Sequence, residues 1–264
     1  MSALNELLHD DAIDLNAHAE TWQEAIAQAG ALLEKTGAIT SAYTESMISS
    51  VEEQGPYIVV APGFAFAHAR PSEAVKRTAI AWTRLDSPVE FHHSSNDPVT
   101  LVVALAAQDD QAHTAAMREI AQVLGSRRRD LDTVATVAEL RGVLEASKRR
   151  KSRGVAGGAT HVTAQDSVES KGKILTVCGN GLGTSLFLKN TLDQVLDTWG
   201  WGPFVSTEAT DTISAKGRAK EADFLLTSEE IARTLGDVGV PVYVISNFTS
   251  EDEIDAALRE LYDV

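Results

Sequence analysis

The chain has 264 residues, 44% of them hydrophobic and 6% aromatic, enough for one large domain or two ordinary ones with real cores. A formal net charge of −15 argues against general nucleic-acid binding, no apolar run reaches the length of a membrane span, and a single cysteine excludes an internal disulfide and a Cys-rich zinc site. The start, Met1-Ser2-Ala3-Leu4-Asn5-Glu6, lacks the basic residues and apolar core of a signal peptide, and one free thiol suits a reducing compartment, so a cytoplasmic protein is expected.

In chain order, Thr21-x-x-Glu24 forms a capping box ahead of a helix carrying Ile26, Leu32 and Leu33 and closed at Gly37. A second helix is expected from Thr40 to Glu52 or Glu53. Tyr57 to Ala61 reads as a strand, Pro62-Gly63 as a turn, and Phe64 to Pro71 as an extended piece ending in a loop, which sets His68 where strand meets loop. Further strands are expected from Thr78 to Leu85 and from Val99 to Ala106, the latter apolar enough for burial on both faces. Asp109 or Asp110 then caps a helix containing His113 in its first turn, followed by Met117, Ile120, Ala121 and Leu124. Thr136-x-x-Glu139 caps another, with Leu140, Val143 and Leu144.

The composition shifts at Lys148-Arg149-Arg150-Lys151, and the basic, glycine-rich and polar stretch to Gly172 reads as a flexible linker. Its basic cluster suits either an anionic lipid surface or partner, or a solvated charged tether. Beyond it β and α patterns alternate. A strand at Ile174 to Val177 leads into a helix ending near Trp199, followed by a candidate strand at Pro203 to Ser206 and an irregular or helical piece around Ile213 to Glu221. Next come strand Asp223 to Thr227, helix Ser228 to Leu235, strand Val242 to Ser246, and a helix with Ile254, Leu258 and Leu261. Such alternation implies a parallel sheet with functional loops at the carboxyl ends of its strands.

Most of the seven histidines need no special role. His9, His18 and His161 have polar surroundings and are expected to be exposed; His92 and His93, as neighbours in a strand, would face opposite ways, and no metal is expected. The informative stretch is Cys178-Gly179-Asn180-Gly181-Leu182-Gly183-Thr184-Ser185, between a strand and a helix N-terminus. Glycines there let successive N–H groups turn toward one point, and the helix dipole and the Thr184 and Ser185 hydroxyls favour an anion on Cys178. A nucleotide P-loop would need Lys where Gly183 stands. A dinucleotide fingerprint would need Gly at Thr184, and a low-molecular-weight tyrosine phosphatase would need Arg there. What remains is a cysteine that accepts phosphate and passes it on, set against the plain reading of a small buried hydrophobe.

Cys-Gly-Asn-Gly-x-Gly-[Thr/Ser]-Ser after a strand resembles the phosphocysteine loop of IIB components of the bacterial phosphoenolpyruvate-dependent sugar phosphotransferase system, in the ascorbate and galactitol branches. Gly63-Phe64-Ala65-Phe66-Ala67-His68 resembles the Gly-apolar-Ala-apolar-Pro-His signature of the mannitol/fructose/ascorbate type of IIA, with Ala67 in place of Pro. His113 matches the second active-site histidine of that family, as a hydrogen-bond donor to phosphate or, on the plainer reading, a solvent-facing helix-start residue. Met47-Ile48-Ser49-Ser50-Val51 holds no Arg where some mannitol-type relatives carry one, and Arg70 stands in for it.

The resemblance implies an α/β protein of two domains: a mixed-sheet IIA domain at 1–147, the linker at 148–172, and a smaller parallel-sheet, Rossmann-like IIB domain with a phosphatase-like loop at 173–264. It implies a phosphotransferase without cofactor, in which phosphocarrier protein HPr loads His68, His68 loads Cys178, and Cys178 passes phosphate to a sugar of ascorbate type held by a separate membrane IIC subunit. The protein would associate peripherally with that subunit. An alternative is a IIA-IIB sensor whose phosphorylation state a regulator reads.

Overall fold

The computed structural model describes residues 3–149, 170–179 and 184–263. The first half contains α1 (Ala3–Leu7), β1 (Leu8–Ala17), α2 (Trp22–Lys35), α3 (Ser41–Gln54), β2 (Val59–Ala61), β3 (Phe64–His68), β4 (Ala79–Val89), β5 (Val99–Ala106), α4 (Asp110–Thr133) and α5 (Val137–Arg149). The second contains β6 (Lys173–Cys178), α6 (Ser185–Trp199), β7 (Ser206–Asp211), α7 (Thr212–Arg218), a 3-10 turn at Ala219–Glu221, β8 (Phe224–Thr227), α8 (Glu229–Leu235), β9 (Val242–Val244) and α9 (Glu251–Tyr262). The expected linker lies outside the described residues over 150–169.

Among the described residues the strands form a five-stranded sheet ordered β1-β4-β5-β3-β2 and a four-stranded sheet ordered β7-β6-β8-β9. The first is mixed: β1 with β4 and β3 with β5 run parallel, whereas β4 with β5 and β2 with β3 run antiparallel. The second is all parallel. This is the two-domain α/β layout that the sequence implies. Both caps form: the Thr21 hydroxyl accepts from Glu24 N and the Thr136 hydroxyl from Glu139 N, each at 3.2 Å, while the two Glu carboxylates accept from Glu20 N and Ala135 N, one residue before the cap.

Two strands depart from expectation. β1 has no counterpart in the sequence reading, because only one side of Leu-His-Asp-Asp-Ala-Ile-Asp-Leu-Asn-Ala packs on the core and register shifts against β4 erase its alternation. In the second domain the strand expected at 203–206 lies instead at β7, whose polar run Ser-Thr-Glu-Ala-Thr-Asp forms an edge. Its Glu208 is held there by Arg218 and by Lys173, the latter at 3.0 Å. His92 and His93 lie in the loop after β4 rather than in a strand. There the His93 Nδ1 accepts from the N–H groups of Ser95 and Asn96, both at 3.1 Å.

The two halves pack together. The Phe187 ring of α6 stands 5.4 Å from that of Phe66 and 6.4 Å from that of Phe64, both on β3. The edge strand β2 is covered: Phe248 N donates to Val60 O at 2.9 Å, and the Asn96 side-chain amide donates to both Val59 O and Ser246 O. No helix of the described residues is long and apolar enough to cross a membrane.

Inside the first domain α2 and α3 approach closely at Gly30, where an added Cβ would lie 2.4 Å from Thr44 Oγ1 and 2.9 Å from Thr44 Cβ. The latter is fixed to the α3 backbone, so the helices must separate to admit a methyl group. Gly30→Ala is therefore expected to destabilise the protein by about 1–3 kcal/mol despite the better helix propensity of Ala, as read from urea unfolding midpoints. An unchanged or raised midpoint would show that the helix pair yields freely.

Candidate functional site

His68 ends β3, whose alternation places Phe64, Phe66 and His68 on one face. The residue is 2% exposed. Its Nδ1 lies 2.9 Å from Phe66 O, and because a carbonyl only accepts, Nδ1 carries the proton and Nε2 carries the lone pair. Nε2 is buried without a hydrogen-bond partner in the protein. Burial, reinforced by His113, pulls the imidazole pKa down to about 3, against a small opposing effect of the Phe66 carbonyl. Near neutral pH the ring is therefore an uncharged nucleophile.

The strand end is held by Tyr43 of α3. Its buried hydroxyl accepts from Ala69 N at 3.1 Å and shares its own proton between Ala69 O and Leu105 O, each at 2.9 Å. Burial pushes this phenol up to about 12, so it stays protonated in that clamp. Tyr43 thus positions His68 through the next residue's backbone.

His113 lies in the first turn of α4 behind the Asp109 cap, whose carboxylate accepts from Ala112 N at 2.8 Å. It is 7% exposed, which excludes the solvent-facing reading. Its ring stands edge-on to that of His68 at 5.5 Å. Burial lowers its pKa to about 4, and its Nδ1 lacks a hydrogen-bond partner in the protein. A neutral imidazole in this place can donate to an anion on His68.

Cys178 ends β6 at 2% exposure, between β7 and β8, where the strand order reverses. Its Sγ is 3.9 Å from Thr210 O. Burial raises the thiol pKa, while the Ser185 side chain and N–H and the Thr184 hydroxyl favour the thiolate and Asp211 opposes it. Thr184 and Ser185 are both buried at the start of α6, so the helix N-terminus faces the sulfur. Gly179 permits a close approach of the other domain: a Cβ there would lie 2.2 Å from Gln54 Oε1. Asn180, Gly181, Leu182 and Gly183 lie outside the described residues.

Arg70 is exposed, two residues past His68, and its charge acts on Asp211 of the second domain. Burial pushes Asp211 up, but the Ser214 N–H and hydroxyl, the Ile213 N–H and Arg70 outweigh this and hold it below the usual carboxylate range. Among the described residues no group of three His, Cys, Asp or Glu side chains could hold a metal ion.

Sequence reasoning missed Tyr57, which it took for a strand residue. Tyr57 lies in the turn before β2, its ring 5.8 Å from that of His68, and its hydroxyl feels the charge of Cys178. It therefore lies against the histidine of one domain and within electrostatic reach of the cysteine of the other. Nothing in the local pattern could have revealed this, because the contact is between domains.

Residues 6–146 match the family model of the phosphoenolpyruvate-dependent sugar phosphotransferase system EIIA 2, and residues 173–260 match that of the lactose/cellobiose-specific IIB subunit. The ascorbate-specific EIIA components of Shigella boydii and Escherichia coli K12 are each 40% identical to this chain over 113 residues, covering 43% of it and 73% of the relative. The solution structure of the mannitol-specific cryptic enzyme IIA of Escherichia coli aligns with a TM-score of 0.50 at 27% identity, over 54% of this chain and 98% of that one. The chain belongs to the EIIA 2 family of the sugar phosphotransferase system, carries a IIB domain behind its IIA domain, and is a phosphotransferase of that system.

Proposed function

We propose that the protein takes phosphate from HPr on His68 Nε2, passes it to Cys178 Sγ, and delivers it to a sugar held by a separate membrane IIC subunit. The observation that supports this reading is that both candidate acceptors, one from each domain, are buried, His68 in ring contact with Tyr57 and Cys178 within electrostatic reach of it. A neutral imidazole with its lone pair at Nε2 is a competent nucleophile toward phosphorus, and a thiol at a helix N-terminus is a competent second acceptor. In the transfer step the Sγ–P bond forms as the P–Nε2 bond breaks. The electron pair of the broken bond returns to Nε2, which takes up the thiol proton and, with its pKa of about 3, releases it to water when the domains part, so no co-reactant is needed. His113 and the start of α6 supply donors to the phosphoryl oxygens, and Arg70 adds positive charge at the rim. Because both acceptors are buried with the domains together, loading by HPr and delivery to IIC take place with them apart. The ascorbate-specific relatives favour an ascorbate-type substrate, which phosphorylation of ascorbate against galactitol with the cognate IIC membrane would test.

With phosphoenolpyruvate, the general enzyme and HPr supplied, Cys178→Ser is expected to take label on His68 and pass none to substrate, and His68→Ala to take none at either site. Normal label on Cys178 in the His68 variant would overturn the order. His113→Ala is expected to keep a phosphorylatable His68 while transfer to Cys178 slows by about 2 to 4 kcal/mol in activation free energy, the effect of one oxyanion-type donor. Phosphate found on His113 itself would reverse the assignment. The His68 ring proton resonances are expected to stay flat from about pH 8 to about pH 5, where an ordinary histidine titrates. Folded-state values below the unfolded 6.5 mean that the unfolded chain binds more protons. Stability from neutral His68 and His113 is therefore full above 6.5 and is lost as pH falls toward about 4 and about 3. A His68 midpoint near 6.5 in the titration would refute the buried neutral state.

A further inference from the structure

Tyr57 is 3% exposed, and its Oη has no hydrogen-bond partner in the protein. Buried tyrosine hydroxyls ordinarily find one. The candidate nearest to that role is the Ser50 hydroxyl of α3, which eases the burial of the phenol but is not in hydrogen-bond geometry with its Oη. The ring meets the His68 imidazole edge-on, at 5.8 Å and 81° between planes, and Cys178 acts on the hydroxyl across the domain contact. A buried phenol without a hydrogen-bond partner of good geometry in the protein thus stands against His68 and within electrostatic reach of Cys178.

We propose that Tyr57 is a catalytic residue of this protein, its hydroxyl donating a hydrogen bond to the phosphoryl group as it crosses from His68 Nε2 to Cys178 Sγ. The assignment rests on the relay proposed above. Burial, and after it the charge of Cys178, raises the phenol pKa, so the group remains a donor throughout. Its proton is not transferred: the P–Nε2 bond still breaks, the Sγ–P bond still forms, and the thiol proton still leaves by way of Nε2. The donor favours the crossing because the transferring group spreads negative charge over three oxygens in a site from which water is excluded, where a fixed donor acts most strongly.

Tyr57→Phe in the full-length chain keeps the ring and removes only the hydroxyl. Rapid-quench single-turnover experiments, started by phosphorylated HPr and read by mass spectrometry at His68 and Cys178, separate loading from transfer. The expected result is loading of His68 at the wild-type rate and transfer to Cys178 slowed by about a hundredfold or more. Its melting temperature is expected to equal or exceed that of the wild type, since an unpartnered buried donor has been removed. Transfer at the wild-type rate would overturn the proposal, as would a lowered melting temperature with both steps slowed together, which marks a packing role. Failure of the wild-type protein itself to move label from His68 to Cys178 would instead overturn the relay.

Discussion

The hydrogen bond between His68 Nδ1 and the Phe66 carbonyl, two residues back on the same strand, decides what this site can do. It commits the proton to Nδ1 and aims the lone pair of Nε2 away from the strand. Burial then keeps the ring neutral, so the histidine is ready as a nucleophile without a neighbouring base. The bond depends on the strand end being rigid. Rigidity comes from the Tyr43 hydroxyl, which ties Ala69 to Leu105 across the β3–β5 pair. Tyr43 in turn is placed by α3, which sits where it does because Gly30 of α2 lets the two helices close.

The contact between domains uses the same strand. Phe64 and Phe66 alternate with small Ala65 and Ala67, so their large rings share the face of His68 and meet Phe187 two residues after Ser185. The aromatic pair is thereby a ruler: seating Phe187 on Phe66 brings the start of α6 to the histidine end of β3. The backbone bond from Phe248 to Val60 and the Asn96 bridge to Ser246 fix the angle of approach by covering the edge of β2. Apolar contact supplies area, and the hydrogen bonds to one strand edge supply register.

How much of this was legible in the sequence follows from range. Capping boxes, the buried strands β5 and β6 and the positions of His68, His113 and Cys178 at element ends are encoded within a few residues, so local patterns revealed them. β1 was hidden because its burial is one-sided and interrupted by register shifts, and β7 because a polar edge strand is stabilised by the distant Arg218 and Lys173 rather than by its own residues. The burial of His113 against His68 was legible only through resemblance, since a helix-start histidine carries no sign of what it faces. Tyr57 was illegible for the same physical reason in stronger form: a tyrosine between an apolar run and a proline reads as strand, and its chemical use exists only once a second domain presents its cysteine.

Three buried side-chain atoms without hydrogen-bond partners in the protein belong to this one place: His68 Nε2, His113 Nδ1 and Tyr57 Oη. Leaving such an atom buried and unpaired costs about 1–3 kcal/mol, so the cluster is expensive in a protein whose whole stability is about 5–15 kcal/mol. Nearby Tyr43 differs, its hydroxyl both accepting from Ala69 N and sharing its proton between Ala69 O and Leu105 O. In the proposed relay a phosphoryl group on His68 resolves the imbalance, bonding covalently to Nε2 and bringing oxygens that accept from a phenol and an imidazole. Moving it to Cys178 need not surrender the Tyr57 bond, because the phenol touches the His68 ring and lies within electrostatic reach of Cys178. In the proposed relay phosphate is therefore stabilised during the crossing as well as on the histidine, which is what a relay requires, since a site that bound it tightly on the histidine alone would hold it there.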